Sequence, residues 1–337
     1  ECEFQLADQN WKEEFTLPNI FQNGLKIPSQ PEKELSNLNL DWRKRVVFKA
    51  ELEPGQMNRF DVKLEIVPAK PAPKLFPENG LLQFRTKELA VDINCKTGLV
   101  DRYCVNGEEY LKSNAFTPLV MDDNDDPWGM ETMNFNKIAG QFTLMSDEKG
   151  TQFSGIHGKT LPSVRVIEDG DVRTVVEALF QYADSFVIQT YKLPKQGTEV
   201  EVQVRVHWNE KSKMLKLSVP TKITEGTYTG QVAYGREDLP NGGKEVVAQK
   251  WTVINHLPSN RVLTCINDGI YGSDFQNGEM RLSLLRSSGY SGHPIQKRPI
   301  MAQDRYSSRI DQGERVYRFW LNGGKYNDRM NVIEREA

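Results

Sequence analysis

The sequence is poor in the residues that usually build a metal or nucleophilic centre, with four histidines and four cysteines among 337 residues. His157, His207, His256 and His293 stand far apart, and no two have the spacing of metal ligands on one element. Cys2, Cys95, Cys104 and Cys265 form no C-x-x-C pair, which argues against a zinc knuckle or a thioredoxin-like motif. Cys95 and Cys104 flank a turn and allow a hairpin disulfide. The simpler expectation is free buried thiols in a reducing cytoplasm. Also missing are G-x-x-x-x-G-K-[ST], a G-x-G-x-x-G after a strand, G-x-S-x-G and H-E-x-x-H.

Charge of one sign is missing too. Forty-three Lys and Arg against 46 Asp and Glu leave a net charge of −3, so no field selects nucleic acid or an anionic membrane as partner. No apolar run approaches the roughly 18 to 20 residues that cross a bilayer as a helix. No Asn-x-Ser/Thr sequon occurs. Glu1 in place of Met, and a polar, helix-patterned end from Asn327 to Ala337, suggest a piece of a longer protein.

What is present is strand pattern. Glu199-Val-Glu-Val-Gln-Val-Arg-Val-His207 alternates strictly, as a sheet with one dry and one wet face requires. Similar runs predict strands at Val46–Leu52, Phe60–Val67, Leu89–Ile93, Val172–Phe180, Ser185–Leu193, Met214–Val219, Val247–Val253, Arg261–Ile266 and Met280–Arg286. Turn residues separate them at Glu53-Pro-Gly55, Lys96-Thr-Gly98, Val105-Asn-Gly107, Glu168-Asp-Gly170, Gln276-Asn-Gly278 and Asn322-Gly-Gly324. Helical periodicity is nearly absent before the last dozen residues, which excludes a parallel βαβ sheet and predicts an antiparallel sandwich. Four prolines in Pro68–Pro77 mark a seam. The expected organisation is a small β-sandwich over residues 1–70 and a large one over 71–337.

Three loops hold the candidate chemistry. Asp122-Asp-Asn-Asp-Asp-Pro-Trp-Gly129 begins like a calcium loop, but Pro127 and Met133 fall where Gly and Glu are needed. It reads either as a solvated acidic loop or as a sugar-facing one. In the latter case Trp128 stacks on a pyranose and Asp126 accepts hydroxyl hydrogen bonds. The aperiodic stretch from Arg286 to Gly313 carries Arg286, Tyr290, His293, Asp304, Arg305 and Asp311. It is either a loop pinned by its own ion pairs or a polar wall of a sugar site. Asn267-Asp-Gly-Ile-Tyr-Gly272, with Asp268 and Tyr271, has ordinary turn chemistry. Glycoside hydrolysis needs two carboxylates at a fixed separation, and no spacing here nominates such a pair.

Four segments carry a family resemblance. Val204-Arg-Val-His-Trp-Asn-Glu-Lys-Ser-Lys-Met-Leu-Lys-Leu-Ser-Val-Pro220 resembles a strand ending in "DWNEKHKLLKLxFP", with His207 in place of the first Asp. Lys250-Trp251 is similar to "HKW", with Gln249 in place of the His. Asn267–Asp274 together with Arg281–Arg286 resembles "NDxKYGYDxxGxxLRLSLLR". Asp311-Gln-Gly-Glu314 with Phe319 resembles "DxGxHxFxxxL". Earlier, Ile27–Gln30 and Arg45–Val62 look like a small β domain, and Leu89–Leu111 like the opening of a supersandwich. The family is the C-terminal β region of family 38 α-mannosidases. The resemblance implies an all-β chain, a small sandwich followed by a large antiparallel, galactose-mutarotase-like supersandwich.

It further implies that zinc, the nucleophile and the acid/base belong to a catalytic domain outside this sequence. This chain alone would then be inactive, with no metal of its own. Its partners would be the catalytic and helical domains of its own enzyme and an α-mannoside, with no nucleic acid or membrane. By position, the loop residues named above would line the sugar pocket. A stand-alone carbohydrate-binding module and a supersandwich sugar epimerase or lyase are the alternatives. The last needs a His and a carboxylate converging in one cleft.

Overall fold

A computed structural model describes residues 2–10, 14–32, 41–129, 132, 134–290 and 298–337, with only the backbone course for 2–10 and 41–43. His293 and the Cys2 side chain lie outside the described residues. Almost every element is a strand, and every described pairing is antiparallel.

Contacts divide the chain into two compact units. The first comprises Glu1–Phe76 with Val166–Val176 and Lys192–Gly197. Its strands are β1 (Cys2–Asn10), β2 (Phe15–Gln22), β3 (Leu25–Ile27), β4 (Ser29–Glu32), β5 (Asp41–Phe48) and β6 (Asp61–Val67). They form two three-stranded sheets, in orders β1-β5-β4 and β3-β2-β6. In β2 the burial alternates, with Thr16, Pro18 and Ile20 inside, as period-two side chains on one dry face require. Within this unit Gln30 is buried, and its Oε1 accepts the backbone N–H groups of Val172 (3.0 Å) and Arg173 (2.9 Å).

The second unit comprises Pro77–Arg165, Glu177–Tyr191 and Thr198–Ala337. In chain order the remaining strands begin with β7 (Leu81–Arg85), β8 (Leu89–Asn94), β9 (Val100–Val105), β10 (Glu108–Glu109), β11 (Thr117–Asp122), β12 (Ile138–Gln141) and β13 (Thr143–Leu144). There follow β14 (Val164–Asp169), β15 (Arg173–Tyr182), β16 (Ser185–Pro194), β17 (Val200–Trp208), β18 (Lys213–Pro220), β19 (Thr227–Val232) and β20 (Gly235–Leu239). The last are β21 (Val246–Val247), β22 (Trp251–His256), β23 (Arg261–Asn267), β24 (Gly272–Gln276), β25 (Glu279–Arg286) and β26 (Gly313–Lys325). A four-stranded sheet runs β10-β9-β8-β7 and a six-stranded sheet β12-β11-β18-β25-β24-β21. A ten-stranded sheet runs β13-β15-β16-β17-β26-β23-β22-β19-β20, with β14 beside β15.

The ten-stranded sheet lies face to face with the six-stranded one. Tyr228 of β19 stacks on Phe275 of β24 at 5.1 Å between centroids, and its hydroxyl meets Ser273 Oγ at 2.7 Å. Val200, Val202, Val204 and Val206 of β17 are buried in this core, as the alternating pattern demands. Each buried side chain of this size contributes about 1.5–3 kcal/mol. Gly98, at φ +73°, closes the turn after β8 where a Cβ would meet Leu144 and Phe180 at 2.8 Å.

Several boundaries differ from the sequence expectation. Asn322-Gly-Gly324 is no turn but part of the thirteen-residue β26. Glycines are used there because a Cβ on Gly323 would come within 2.7 Å of the Tyr110 ring. The run Val247–Val253 splits into β21 and β22, in different sheets, while β5 stops at Phe48, short of Leu52. Helix α1 (Asp147–Phe153) was not foreseen. It is a short helix with Ser146 as its N-cap, whose Oγ accepts Lys149 N–H at 3.3 Å. The polar end does form helix, as α2 (Tyr326–Met330) and α3 (Ile333–Glu336). Cys95, Cys104 and Cys265 are free thiols, so the hairpin disulfide is not made.

Candidate functional site

Antiparallel register brings two of the three candidate loops together. Asp122 at the end of β11 pairs with Lys213 at the start of β18, and Met214 of β18 pairs with Arg286 at the end of β25. In the facing sheet Trp208 ends β17 opposite Gly313, where β26 begins. The acidic loop after Asp122, the short loop before Lys213 and the long loop after Arg286 therefore leave the same end of the sandwich.

They are tied to one another by charge. The Arg286 guanidinium forks onto Asp123, with both N···O distances 2.8 Å, and also donates to Asp126 O at 3.0 Å. It lies over the Phe135 ring at 4.6 Å. Its backbone N–H donates to Asp311 Oδ2 at 3.3 Å. Asp125 accepts from Ser212 Oγ at 2.6 Å and from Arg309, and its carbonyl accepts Gly289 N–H at 3.0 Å. Asp122 holds Lys137 at 2.6 Å and Lys213 at 2.8 Å, and these ammonium groups keep its carboxyl down at about 2. Burial works against the Asp125 charge, but Ser212 and Arg309 outweigh it and keep its carboxyl below the usual range.

The carboxylates of the acidic loop thus serve as anchors. Asp126 is fully buried, and its Oδ1 accepts Trp128 N–H at 2.9 Å, which shapes the loop from within. Among the described residues no three His, Cys, Asp or Glu side chains converge as a metal requires. In the acidic loop the carboxylates that a calcium loop would use are held instead by Lys137, Lys213, Arg286, Arg309 and the Trp128 N–H. What the loops expose is aromatic, with Trp128 68%, Tyr290 77% and Tyr306 74% accessible. Tyr290, Met301 and Tyr306 line a shallow depression of about 470 Å³, and Lys211 Nζ stands 4.8 Å from the Tyr306 ring centroid.

The other candidates sit apart. Asp304 and Arg305 pair with each other at 3.3 Å, both largely exposed. Asp268 pairs with Arg318 at 2.6 Å, and Tyr271 is half-exposed before β24. Among the described histidines, His256 bonds Ser259 Oγ at 2.7 Å, His207 stands opposite Glu314 in register, and His157 follows α1.

Sequence reasoning missed a buried charged cluster on the outer face of the six-stranded sheet. Lys216 is fully buried and holds Asp274 together with Glu245 Oε2 at 2.6 Å. Arg281 donates to Asp274 Oδ1 at 2.8 Å and to Asn136 Oδ1 at 3.2 Å. The signal was there, because Lys216 and Arg281 are cations flanked on both sides by apolar residues within their strands. A further cavity of about 970 Å³ lies where β23 begins and β26 ends, lined by Tyr110, Arg261, Asn322, Lys325 and Arg329.

These features define an antiparallel β-sandwich with one loop-rich, aromatic end. The chain belongs to glycoside hydrolase family 38, since the sequence profile described as "Glycosyl hydrolases family 38 C-terminal domain" matches residues 85–293. Alpha-mannosidase G of Dictyostelium discoideum is 27% identical over 136 residues, covering 36% of this chain and 12% of that protein. A family 38 glycosyl hydrolase structure from Enterococcus faecalis superposes with a TM-score of 0.63 at 13% identity, covering 94% of this chain and 40% of its own. An alpha-mannosidase structure from Enterococcus faecalis V583 gives 0.62 at 11% identity, covering 95% of this chain and 39% of its own. At such identities the superpositions show the fold alone. The chain spans well under half the length of these relatives. No helix among the described residues is long and apolar enough to cross a membrane.

Proposed function

We propose that this chain is the non-catalytic β portion of an α-mannosidase, a retaining zinc glycoside hydrolase acting on α-linked mannose. In this reading it scaffolds the catalytic domain and presents its loop-rich end as one wall of the sugar pocket. Zinc and the reacting carboxylates come from outside these residues. The protein works in the cytoplasm, where its thiols stay reduced.

The observation that carries the reading is the Arg286–Asp123 fork, which locks the acidic loop to the long loop and leaves Trp128 and Tyr290 exposed. A rigid pair of loops with uncovered aromatic rings suits sugar faces, because stacking needs a preset platform. Asp268, Tyr271, Asp304, Arg305, Asp311 and His293 are second-rank contacts in this reading, proposed from their positions in the sequence. In the full-length enzyme, Trp128→Ala and Tyr290→Ala should raise KM for an aryl α-mannoside several-fold while kcat and Tm stay near wild type. Unchanged KM in both variants would remove the sugar-wall role. Turnover of the same substrate by this chain alone would overturn the non-catalytic assignment.

A further inference from the structure

Strand β6 is anomalous for its pattern. Asp61-Val-Lys-Leu-Glu-Ile-Val67 alternates as cleanly as a core strand, yet Val62 is 42%, Leu64 51% and Ile66 66% accessible. Register explains the side they face. Val62, Leu64 and Ile66 pair with Ile20, Pro18 and Thr16 of β2, and those three point into the dry face of the small sandwich. β6 thus continues an inward apolar face at the sheet edge, and no strand among the described residues pairs with its outer side. On the opposite face Lys63 lies over the Phe21 ring at 4.5 Å and Glu65 accepts from Asn19 at 3.1 Å.

An exposed edge with apolar side chains invites pairing, and a central lysine ordinarily blunts it against foreign strands. Here a glutamate two residues further on admits one partner, the same strand turned round. We propose that β6 is a homodimer edge, where two copies pair antiparallel about a two-fold axis through Leu64. Lys63 of each copy then faces the partner's Glu65, Val62 faces the partner's Ile66, and Leu64 meets the partner's Leu64. The two three-stranded sheets fuse into one of six strands.

The charge pattern selects that register against its neighbours. An axis through Lys63 would oppose lysine to lysine and Asp61 to Glu65, while an axis through Glu65 would oppose two glutamates. An axis between residues would turn one copy's apolar stripe to the wrong face. Such an interface is isologous, as closed dimers require. It is also small, so the dimer is weak and concentration-dependent. The inference concerns the first unit only and stands whether or not the sugar reading holds.

The test is sedimentation of this chain over a range of about 1 to 200 µM, a span that brackets weak association. Wild type should shift from monomer to dimer. Lys63→Glu and Glu65→Lys should each weaken the dimer by about tenfold or more, through two like-charge pairs per interface. The double exchange K63E/E65K should restore it. A wild-type chain that stays monomeric throughout, or single variants that dimerise like wild type, would overturn the proposal. So would a monomeric full-length protein in which the β6 amides that point away from β2 resist hydrogen exchange, because its own chain would then cover the edge.

Discussion

Among single residues, Arg286 and Asp169 show how one side chain can set a local structure. Asp123 has a fully buried carboxylate whose charge is met by the Arg286 fork. Arg286→Ala leaves that charge uncompensated, so it should cost about 3 kcal/mol in chemical denaturation. Asp169, in the first unit, accepts the backbone N–H groups of Lys74 at 2.7 Å and Leu75 at 2.9 Å and pairs with Lys195 at 2.7 Å. Burial opposes its charge, but Lys195, Thr174 and the two N–H donors win, holding the carboxyl at about 2 against an ordinary 3.8. Because the folded value is the lower one, this stabilisation is complete above 3.8 and disappears as pH falls through about 2. Asp169→Asn should therefore lower Tm at neutral pH and flatten its decline in acid, read by thermal melts across pH. Cys265 is fully buried, and burial pushes its thiol up to about 12, so it should react with a thiol reagent only after unfolding.

Elements were legible where one local rule decides them. The alternation of Glu199–His207 became β17 almost residue for residue, because half-buried strands must alternate, and the apolar run Met280–Arg286 became β25, a strand buried on both faces. The rule failed where tertiary contact overrides local chemistry. Asn322-Gly-Gly324 has turn composition, but the Tyr110 ring lying against it requires glycine inside a strand. Helix α1 is too short to show a periodicity, and its one cue was Ser146 before two acidic residues. The union of the acidic and long loops was not legible at all, because it depends on which strands lie side by side. Gly98 is where turn chemistry and crowding act together. Gly98→Ala both strains a left-handed backbone and drives a methyl into Leu144 and Phe180, so it should cost about 2–4 kcal/mol in chemical denaturation.

At the scale of the whole molecule, composition excluded several classes and residue patterns named the family, but neither placed a site. Distances of 87 to 184 residues along the chain separate Asp125 from Ser212 and Arg309, and nothing in a single sequence announces that they meet. The charged cluster around Lys216 makes the same point, since its members come from β18, β24, β25 and the segment before β21. Replacing Lys216 by Met should be destabilising, because Glu245 and one side of the buried Asp274 lose their cation, and Lys216→Met with Asp274→Leu should recover little of the loss, because the buried Arg281 then loses its own partner. Comparing urea midpoints of the two variants checks this.

The pairings Asp122–Lys213, Met214–Arg286 and Trp208–Gly313 place the loop ends on neighbouring strands of fixed register. The strands beneath therefore act as a socket whose fittings can be exchanged. Under the proposed sugar-wall role, transplanting residues 123–137 and 286–312 together from a relative should carry that relative's sugar preference into the host enzyme, read as kcat/KM on a pair of aryl glycosides. Moving either segment alone would separate Arg286 or Arg309 from the aspartate it was matched to, and the recipient should lose both preference and thermal resistance.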